Sequence, residues 1–234
     1  MIKERIFKLR QKFKEFNIDG YVIPKNDEFF SEYSQKDRLK TISNFTGSAG
    51  YAIILRKKNY LFVDGRYSIQ AEKESAKEFE IINLNKIQNC KLFKNLVLGL
   101  DPKLFTLKQI NNFFKRYNKI KEIEKNLIDS IYNNYLCKPK PFFSLNEKIV
   151  GESHLIKIKK IASIIKKNKA NYLFITAPEN VAWLLNIRGH DNPNSPIPNC
   201  RLIIDSNKEI FLVCEKRKAQ NLIKEKKIKK KNLI

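Results

Sequence analysis

The chain has 234 residues, of which 42% are hydrophobic, 11% aromatic and 30% charged. This balance can bury one large core or two smaller ones, and it excludes a chain that is disordered throughout. The formal net charge of +23 would suit a nucleic-acid binder, but the excess is nearly all lysine and is spread from Lys3 to Lys231. Neither a zinc-ligand spacing nor an aromatic RNA-binding motif accompanies it. We therefore predict no nucleic-acid partner, and a nucleic-acid binder stays an alternative that rests on charge alone.

Cysteine spacing and hydropathy indicate the compartment of the protein. The chain contains no C-x-x-C pair and no His cluster near a cysteine, which argues against a zinc knuckle or a disulfide framework. We expect buried, reduced thiols at Cys90, Cys137, Cys200 and Cys214. The N-terminus begins an amphipathic pattern instead of a signal peptide, and no apolar run approaches the ~18 residues of a membrane span. The sequence thus predicts a cytoplasmic protein without a membrane partner.

The first 137 residues alternate between helix and strand patterns. Apolar residues recur every three or four positions from Ile2 to Phe16, which predicts a helix that ends before Gly20. Mostly apolar runs predict strands at 21–24, 51–55, 60–64 and 96–100, residues 81–84 have strand character, and 120–123 is predicted to be a closing strand. Further helices are predicted from Tyr67 to Phe79, from an N-cap at Thr106 to Phe114, and from Ile128 to Leu136. This alternation is typical of an α/β domain.

Two prolines separate this part from a second run of elements. Pro139 and Pro141 lack amide donors and disfavour helix, so 138–150 is predicted to be a linker between domains at 1–137 and 151–234. The second domain is predicted to contain helices at 155–165 and 178–185, strands at 172–175, 201–205 and 209–213, and a basic helix from Glu215. No strand is predicted after that helix, so we expect the second domain to be incomplete.

The run from Asn44 to Gly50 combines small and polar residues just before a predicted strand. Its two glycines permit positive φ angles or a close backbone approach, so a phosphate cradle is one interpretation. The run lacks the lysine of a P-loop and a G-x-G-x-x-G pattern, and it leads into a strand instead of a helix. A tight turn between elements is the interpretation that the sequence favours.

Arg66 lies in the run Asp64-Gly65-Arg66-Tyr67, where a predicted strand ends and a helix begins. Loops at the carboxyl ends of strands commonly carry ligand contacts in α/β proteins. Because the chain uses lysine almost everywhere, an arginine here suggests a planar fork that holds a carboxylate or a carbonyl group. A structural pair between Arg66 and Asp64 explains the residue equally well.

The segment 186–193 follows a predicted helix that contains Trp183, and it places an arginine, a histidine and an aspartate in one loop. His190 and Asp191 are adjacent, so their side chains point apart, and no third metal ligand has a suitable spacing. The other histidine, His154, has no acidic or thiol partner at helical spacing, and no serine lies in a nucleophile-elbow context. The sequence therefore predicts neither a metal site nor a catalytic residue in this chain.

Several segments together carry a recognisable pattern. They are Tyr21-Val22-Ile23-Pro24, Ser31-Glu32-Tyr33, Ile42 to Gly50, Asp64-Gly65-Arg66-Tyr67 with Gln70-Ala71, and Val181 to Gly189 with Asp191 and Pro193. In this order they resemble the aminopeptidase P group of the creatinase/prolidase family, over essentially the whole chain. One departure is Phe29, at a position where members of the family commonly carry a histidine.

The resemblance implies an α/β fold with two creatinase N-terminal-like domains, each a mixed sheet flanked by helices, the second one incomplete. Family members of this kind carry a further pita-bread domain, in which Asp, His and Glu side chains hold two divalent metal ions, usually manganese. That domain is absent from these residues. The resemblance therefore implies that this chain binds no cofactor and is inactive by itself.

By the resemblance, the complete protein is a metal-dependent Xaa-Pro aminopeptidase, acting on peptides with proline at the second position. This part would shape substrate access and the assembly of a homodimer. The residues expected to face the substrate or the subunit interface are Arg66, Tyr67, Trp183, Arg188 and Asp191. The alternative function is a stand-alone binding or dimerisation module without peptidase activity.

Overall fold

The structure is a computed structural model that describes residues 1–31, 34–89, 91–132 and 139–234. The chain forms two compact units, Met1–Leu136 (unit 1) and Cys137–Ile234 (unit 2). Five residues named above lie outside the described ranges: Glu32, Tyr33, Cys90, Leu136 and Cys137. Within those ranges, no helix combines the length and the apolar character needed to cross a membrane.

A six-stranded sheet forms the centre of unit 1. Its strands are β1 (Gly20–Pro24), β2 (Gly50–Leu55), β3 (Asn59–Val63), β4 (Glu80–Asn83), β5 (Val97–Leu100) and β6 (Lys119–Glu122). They lie in the order β4-β3-β2-β1-β5-β6, with β1–β2 and β2–β3 antiparallel and the other neighbours parallel. Each strand lies within one residue of its predicted bounds, so the predicted mixed sheet is confirmed.

Helices flank this sheet, and α1, α2 and α5 bury apolar residues in its core. They are α1 (Ile2–Glu15), α2 (Arg38–Ser43), α3 (Ser68–Ser75), α4 (Leu107–Gln109), which continues as a π-helical turn (Ile110–Lys115), and α5 (Leu127–Ile131). The apolar stripe of α1, with Leu9 and Phe13 at its centre, packs in one core cluster with Tyr21 of β1. A second cluster contains Val22, whose side chain leaves β1 on the opposite face. β1 is therefore buried on both faces.

Two of the predicted helices of unit 1 are shorter than the sequence suggested. The helix predicted at 128–136 ends at Ile131, because the backbone of Tyr132 is extended, with φ −151° and ψ 105°. Residues 133–136 lie outside the described ranges. The helix predicted at 67–79 begins as a 3-10 turn over Gly65–Tyr67 and ends at Ser75. The apolar periodicity continued past both helix ends, so periodicity alone did not mark them.

Unit 2 has a smaller sheet and its own core. Its strands are β7 (Phe143–Ser144), β8 (Tyr172–Ile175), β9 (Ile187–Arg188), β10 (Arg201–Asp205) and β11 (Ile210–Val213), and its helices are α6 (Glu147–Val150), α7 (His154–Lys167), α8 (Pro178–Leu185) and α9 (Gln220–Lys224). The order β11-β10-β8 is antiparallel throughout, and β7 pairs with β9. Ile158 of α7, Leu185 of α8 and Leu202 of β10 meet in the core.

Three expectations for unit 2 need correction. The basic helix predicted from Glu215 begins only at Gln220, after a series of turns. After a 3-10 turn, Leu233 forms a parallel bridge with Leu212 of β11, although no strand was predicted there. Cys200 is a buried free thiol, whereas Cys214 is only half-buried.

The predicted linker at 138–150 carries secondary structure in its later part. Phe143 of β7 is paired in register with Arg188 of β9, and α6 follows. Phe142 is fully buried in the core of unit 2. From Phe142 onward these residues fold with unit 2, because their phenylalanines carry apolar surface that the prolines before them do not provide.

Candidate functional site

The run from Asn44 to Gly50 is a tight turn between α2 and β2. Asn44 caps α2 in the left-handed region with φ 65°, which asparagine tolerates better than most residues. The next residue, Phe45, is buried, and its amide donates to Ser43 Oγ at 3.1 Å. A Cβ on Gly47 would lie 2.3 Å from the ring of Phe45, so only glycine fits there. The turn interpretation is therefore confirmed.

Glu74 of α3 holds this turn through Thr46. The Thr46 backbone amide donates to Glu74 Oε2 at 2.8 Å, and the Thr46 hydroxyl donates to Oε1 at 2.7 Å. Gln70 adds a bond from Nε2 to Thr46 Oγ1 at 2.6 Å. Burial opposes the charge on Glu74, but the bonds from Thr46 and Gln70 outweigh it and lower the pKa of the carboxyl group. The Glu74 carboxylate thus accepts the hydrogen bond of the Thr46 amide, which a phosphate cradle would need for its ligand.

Arg66 lies at the centre of a surface cluster that we call the Arg66 corner, formed by Ser48, Asp64, Arg66 and Tyr67. Asp64 Oδ1 accepts from the Arg66 amide at 3.0 Å and from Arg66 Nε at 2.9 Å. The Arg66 guanidinium also lies 5.4 Å from the centre of the Tyr67 ring. The Tyr67 hydroxyl is 2.9 Å from Ser48 Oγ, which joins the corner to the tight turn.

The Arg66 corner is pre-formed and open to solvent. The side chain of Arg66 is 72% exposed, although its Nε bonds to Asp64. The hydrogen bond from Arg66 lowers the pKa of Asp64, so the carboxylate that orients the guanidinium stays ionised at neutral pH. The predicted Arg66–Asp64 pair is thus present. A guanidinium held in this way has the planar geometry to bind a further carboxylate or carbonyl group.

Trp183 lies on the exposed side of α8, next to a buried lysine. Lys157 Nζ donates to the Trp183 carbonyl at 2.9 Å and to Asn186 Oδ1 at 2.6 Å. The same Nζ lies 4.5 Å from the centre of the indole ring. Asn186 ends α8 in the left-handed region with φ 53°. The buried Lys157 ammonium group therefore fixes the C-terminal end of α8 through two hydrogen bonds and contacts one face of the Trp183 ring.

Arg188 and Asp191 have different environments in the loop that follows α8. Arg188 is half-buried in β9 and donates from Nη1 to the Ile187 carbonyl at 2.8 Å. Asp191 accepts from Lys218 Nζ at 2.5 Å and from the Asn199 amide at 2.7 Å. The side chain of Asp191 is largely shielded from solvent, and its bonds connect both ends of the loop. The contacts of Asp191 are those of a residue that fixes the loop.

Two family models match the chain, and each is described as Creatinase/Prolidase N-terminal domain. One matches residues 5–129 and the other matches residues 136–233. The chain belongs to the creatinase/prolidase N-terminal domain family. The two matched regions correspond to the two compact units, which divide after Leu136. Both units are therefore creatinase/prolidase N-terminal domains.

Curated relatives of this family are longer than the chain. A protein of Laccaria bicolor named "Probable Xaa-Pro aminopeptidase P" is 34% identical over 226 residues, which cover 90% of this chain and 35% of that protein. Xaa-Pro aminopeptidase 1 of Dictyostelium discoideum is 31% identical over 240 residues, covering 92% of this chain and 38% of the relative. The chain spans little more than a third of the length of these relatives.

A solved structure supports the family fold. The X-prolyl aminopeptidase from Caenorhabditis elegans matches with a TM-score of 0.86 and 25% identity, covering 100% of this chain and 42% of its own. That protein is described as a cytosolic enzyme with a di-nuclear active site.

The described residues do not fit a catalytic metal centre. Within them, no three or more His, Cys, Asp or Glu side chains form a group that could hold a metal ion. His190 stacks on Phe143 with 5.2 Å between ring centres. Burial, together with the nearby charge of Lys227, lowers the pKa of His154. We assign no catalytic step to these residues.

Sequence reasoning missed a buried ion cluster in unit 1. Arg38 on α2 is buried and donates to Asp129 Oδ1 and Oδ2 at 2.8 and 2.7 Å, and to Glu28 Oε1 at 2.6 Å. Burial alone would lower the pKa of Arg38, but the two carboxylates raise it above its usual range. The available signal was an arginine in a lysine-rich chain, directly after the Asp37 N-cap.

Proposed function

We propose that this chain is the non-catalytic front part of a metal-dependent Xaa-Pro aminopeptidase. The complete protein would remove the N-terminal residue of peptides that have proline at the second position. The observation that carries the proposal is the match to aminopeptidases over nearly the whole chain, which covers only 35% to 42% of their lengths. Two divalent ions, manganese by our proposal, would be bound outside these 234 residues.

We further propose that the front part shapes substrate access and the assembly of a homodimer. The Arg66 corner offers an exposed guanidinium beside an aromatic ring, which suits a carboxylate or carbonyl of a peptide or of a neighbouring subunit. Trp183 offers an exposed indole, a residue type enriched in interfaces. Arg188 is a further candidate for a substrate or interface contact, and Asp191 would act by holding its loop.

A substrate comparison tests the proposed activity. The longer protein, supplied with manganese, is incubated with a peptide that has proline at the second position and with the same peptide carrying alanine there. We expect release of the first residue from the proline peptide and little from the alanine peptide. Equal release from both peptides, or release from neither, would contradict the proposal.

The alternative is a stand-alone binding or dimerisation module. The observation that favours it is the exposed apolar surface of unit 2, where Tyr172, Phe174 and Trp183 are open to solvent. Because both alternatives include a dimer, light scattering on the 234-residue chain separates them only together with peptidase assays of the longer protein. A stable dimer without peptidase activity in any longer form would favour the module, and a monomer would disfavour it.

A further inference from the structure

Unit 2 repeats the first part of unit 1, beginning with a helix and the turn that follows it. α1 and α7 each contain 14 residues, and each is followed by a left-handed residue, Asn17 with φ 46° and Lys169 with φ 55°. In both turns a backbone amide donates a hydrogen bond to the carbonyl five residues earlier. Ile18 donates to Phe13 at 3.0 Å, and Ala170 donates to Ile165 at 3.1 Å. β1 and β8 begin at equivalent positions, so Gly20 corresponds to Tyr172.

The repeat continues through the next helix. α2 and α8 both end at an asparagine in the left-handed region, Asn44 and Asn186. A glycine stands three residues after each of them, and in both cases a Cβ would collide. At Gly47 it would meet a buried ring at 2.3 Å, and at Gly189 it would meet backbone at 2.7 Å. The two helices therefore share a left-handed asparagine cap followed three residues later by a glycine that has no room for a side chain.

The sheets follow the same plan. β8 pairs antiparallel with β10 as β1 pairs with β2, and β10–β11 is a hairpin like β2–β3. Leu233 joins β11 in the parallel sense, as β4 joins β3. Ile234 reinforces this pairing, since its amide donates to the Leu212 carbonyl at 2.9 Å and its carbonyl accepts from the Cys214 amide at 3.2 Å.

The repeat differs at one edge. β1 has a second neighbour, the parallel strand β5, with Gly20 opposite Leu98. β8 is the edge strand of its sheet in the described part of unit 2. The consequence is visible in burial, because Val22 is 1% exposed whereas its counterpart Phe174 is 54% exposed. Tyr172 is 64% exposed although its counterpart, Gly20, is buried.

The backbone of β8 presents hydrogen-bonding groups along this edge. Tyr172 lies opposite Asp205 in the register with β10, and the Asp205 amide donates to Glu209 in the hairpin at 2.9 Å. The Tyr172–Asp205 pair is therefore a non-hydrogen-bonded pair, and the amide and carbonyl of Tyr172 point away from β10. By strand alternation, those of Phe174 point the same way.

One face of the same sheet is also apolar and incompletely covered. Phe174, Ile203 and Phe211, which we call the β8 face, are neighbours across three strands, and the latter two are half-buried. Their counterparts in unit 1 are Val22, Ile53 and Tyr60, all fully buried in the second core cluster. A groove of about 330 Å³ runs along β8, lined by Phe174 and Trp183 among others.

We propose that the β8 edge binds an apolar strand parallel to β8, which is supplied by a segment of the same polypeptide outside these 234 residues. This segment would also cover the β8 face, as β5 and the helices near it cover the equivalent face of unit 1. The inference rests on the proposed function, in which the chain is part of a longer peptidase.

The composition of β8 supports this occupant. Its four residues, Tyr172 to Ile175, are all apolar, which is typical of a strand buried on both faces beside a parallel neighbour. A permanent edge strand commonly carries charges or proline to prevent pairing, and β8 has neither. The relatives provide the length for such a segment, since the chain covers only 35% and 38% of them.

Hydrogen exchange of β8 amides tests the inference. Peptides covering 172–175 are followed by mass spectrometry in the 234-residue chain and in the longer protein. We expect exchange at Tyr172 and Phe174 to be at least about 100-fold slower in the longer protein, because the added strand accepts their amides. Equal rates in the two forms would overturn the inference. Slow exchange already in the short chain, together with a dimeric mass, would also overturn it by assigning the edge to a second copy.

A substitution checks the side-chain part of the same inference. Phe174→Asp should lower the Tm by less than about 2 °C in the short chain and by more than about 5 °C in the longer protein, where the charge would be buried. The matched control is Phe7→Asp on α1, a phenylalanine that is 62% exposed and lies in unit 1. Phe7→Asp should change the Tm of the short chain and of the longer protein by the same amount. If Phe174→Asp also changes the two Tm values by the same amount, the β8 face is not buried in the longer protein.

The exchange result does not depend on enzymatic activity. A longer protein that cleaves Xaa-Pro peptides but leaves the β8 amides unprotected would overturn this inference alone. Protected β8 amides in a longer protein without peptidase activity would overturn the proposed function alone. The two proposals can therefore fail separately.

Discussion

At the residue scale, the strongest constraint on unit 1 is the ion cluster of Arg38. Its guanidinium bridges Asp129, which is 91 positions away in the sequence, and Glu28. No local pattern could predict this contact, because its partners meet only when α2 and α5 pack together. The Arg66–Asp64 pair, in contrast, spans two positions and was anticipated from the sequence. Local pairs are accessible to sequence reasoning, whereas long-range ion clusters are not.

Replacement of Arg38 should strongly destabilise unit 1. Arg38→Met keeps much of the side-chain volume but leaves two carboxylates near the core without their cation, for which about 3–5 kcal/mol is expected. Urea unfolding at neutral pH measures the loss. The matched control is Arg56→Met, which removes a 59% exposed partner of Asp19 and should cost less than about 1 kcal/mol. Equal small losses for both variants would refute a structural role for the cluster.

Replacement of Arg66 should affect activity instead of folding. In the longer protein, Arg66→Ala is expected to lower kcat/KM on a proline-second peptide by more than about threefold, or ~0.7 kcal/mol, because in our proposal the guanidinium would contact the substrate or the neighbouring subunit. The Tm should stay unchanged, since the side chain is mostly exposed.

The control for Arg66 is Arg116→Ala. Arg116 lies 5.3 Å from the ring of Tyr117, almost the distance between Arg66 and the Tyr67 ring, and it is also exposed. This variant should keep full activity. If Arg66→Ala behaves like Arg116→Ala, the Arg66 corner serves only to join its strand to the following helix.

At the element scale, strands were easier to predict than helix ends. Every predicted strand of unit 1 is present, and the apolar runs at β1, β2, β3 and β5 mark strands that are largely buried. α5 ends at Ile131 although the predicted helix continued through Tyr132, since a continuing apolar pattern does not reveal where the backbone becomes extended. The neighbour of β1 could not be deduced either, because β5 lies more than 70 positions further along the chain. The spacing of an asparagine and a glycine three residues later occurs at 44–47 and at 186–189 and was visible in the sequence. Only the structure showed that both runs form equivalent turns after a helix.

The turn after α2 should be intolerant of any side chain at Gly47. Gly47→Ala places a Cβ 2.3 Å from the buried Phe45 ring, so the ring must move or the turn must open, at an expected cost of about 1–3 kcal/mol. Thermal unfolding of the chain measures this loss. Gly65→Ala is the comparison, because the nearest atom there, Asn83 Nδ2, is 3.4 Å away and the cost should stay below about 1 kcal/mol. A tolerated Gly47→Ala together with a harmful Gly65→Ala would contradict this explanation of the turn.

At the scale of the whole molecule, two creatinase/prolidase N-terminal domains are present, and the described residues contain no group able to hold a metal ion. The sequence predicted both units because helix and strand patterns start again after the two prolines. It could not reveal that unit 2 leaves an apolar strand at its edge, since β8 reads like any buried strand. Burial depends on neighbours, and in our proposal that neighbour is supplied from outside the chain.

The proposal that residues 1–234 are a non-catalytic front part is tested by hydrolysis of an Xaa-Pro peptide by the 234-residue chain and by the longer protein, with manganese supplied to both. We expect cleavage by the longer protein and none by the short chain, because the metal ligands would lie outside residues 1–234. Manganese-dependent cleavage by the 234-residue chain, whatever the longer protein does, would contradict the proposed non-catalytic role of this chain.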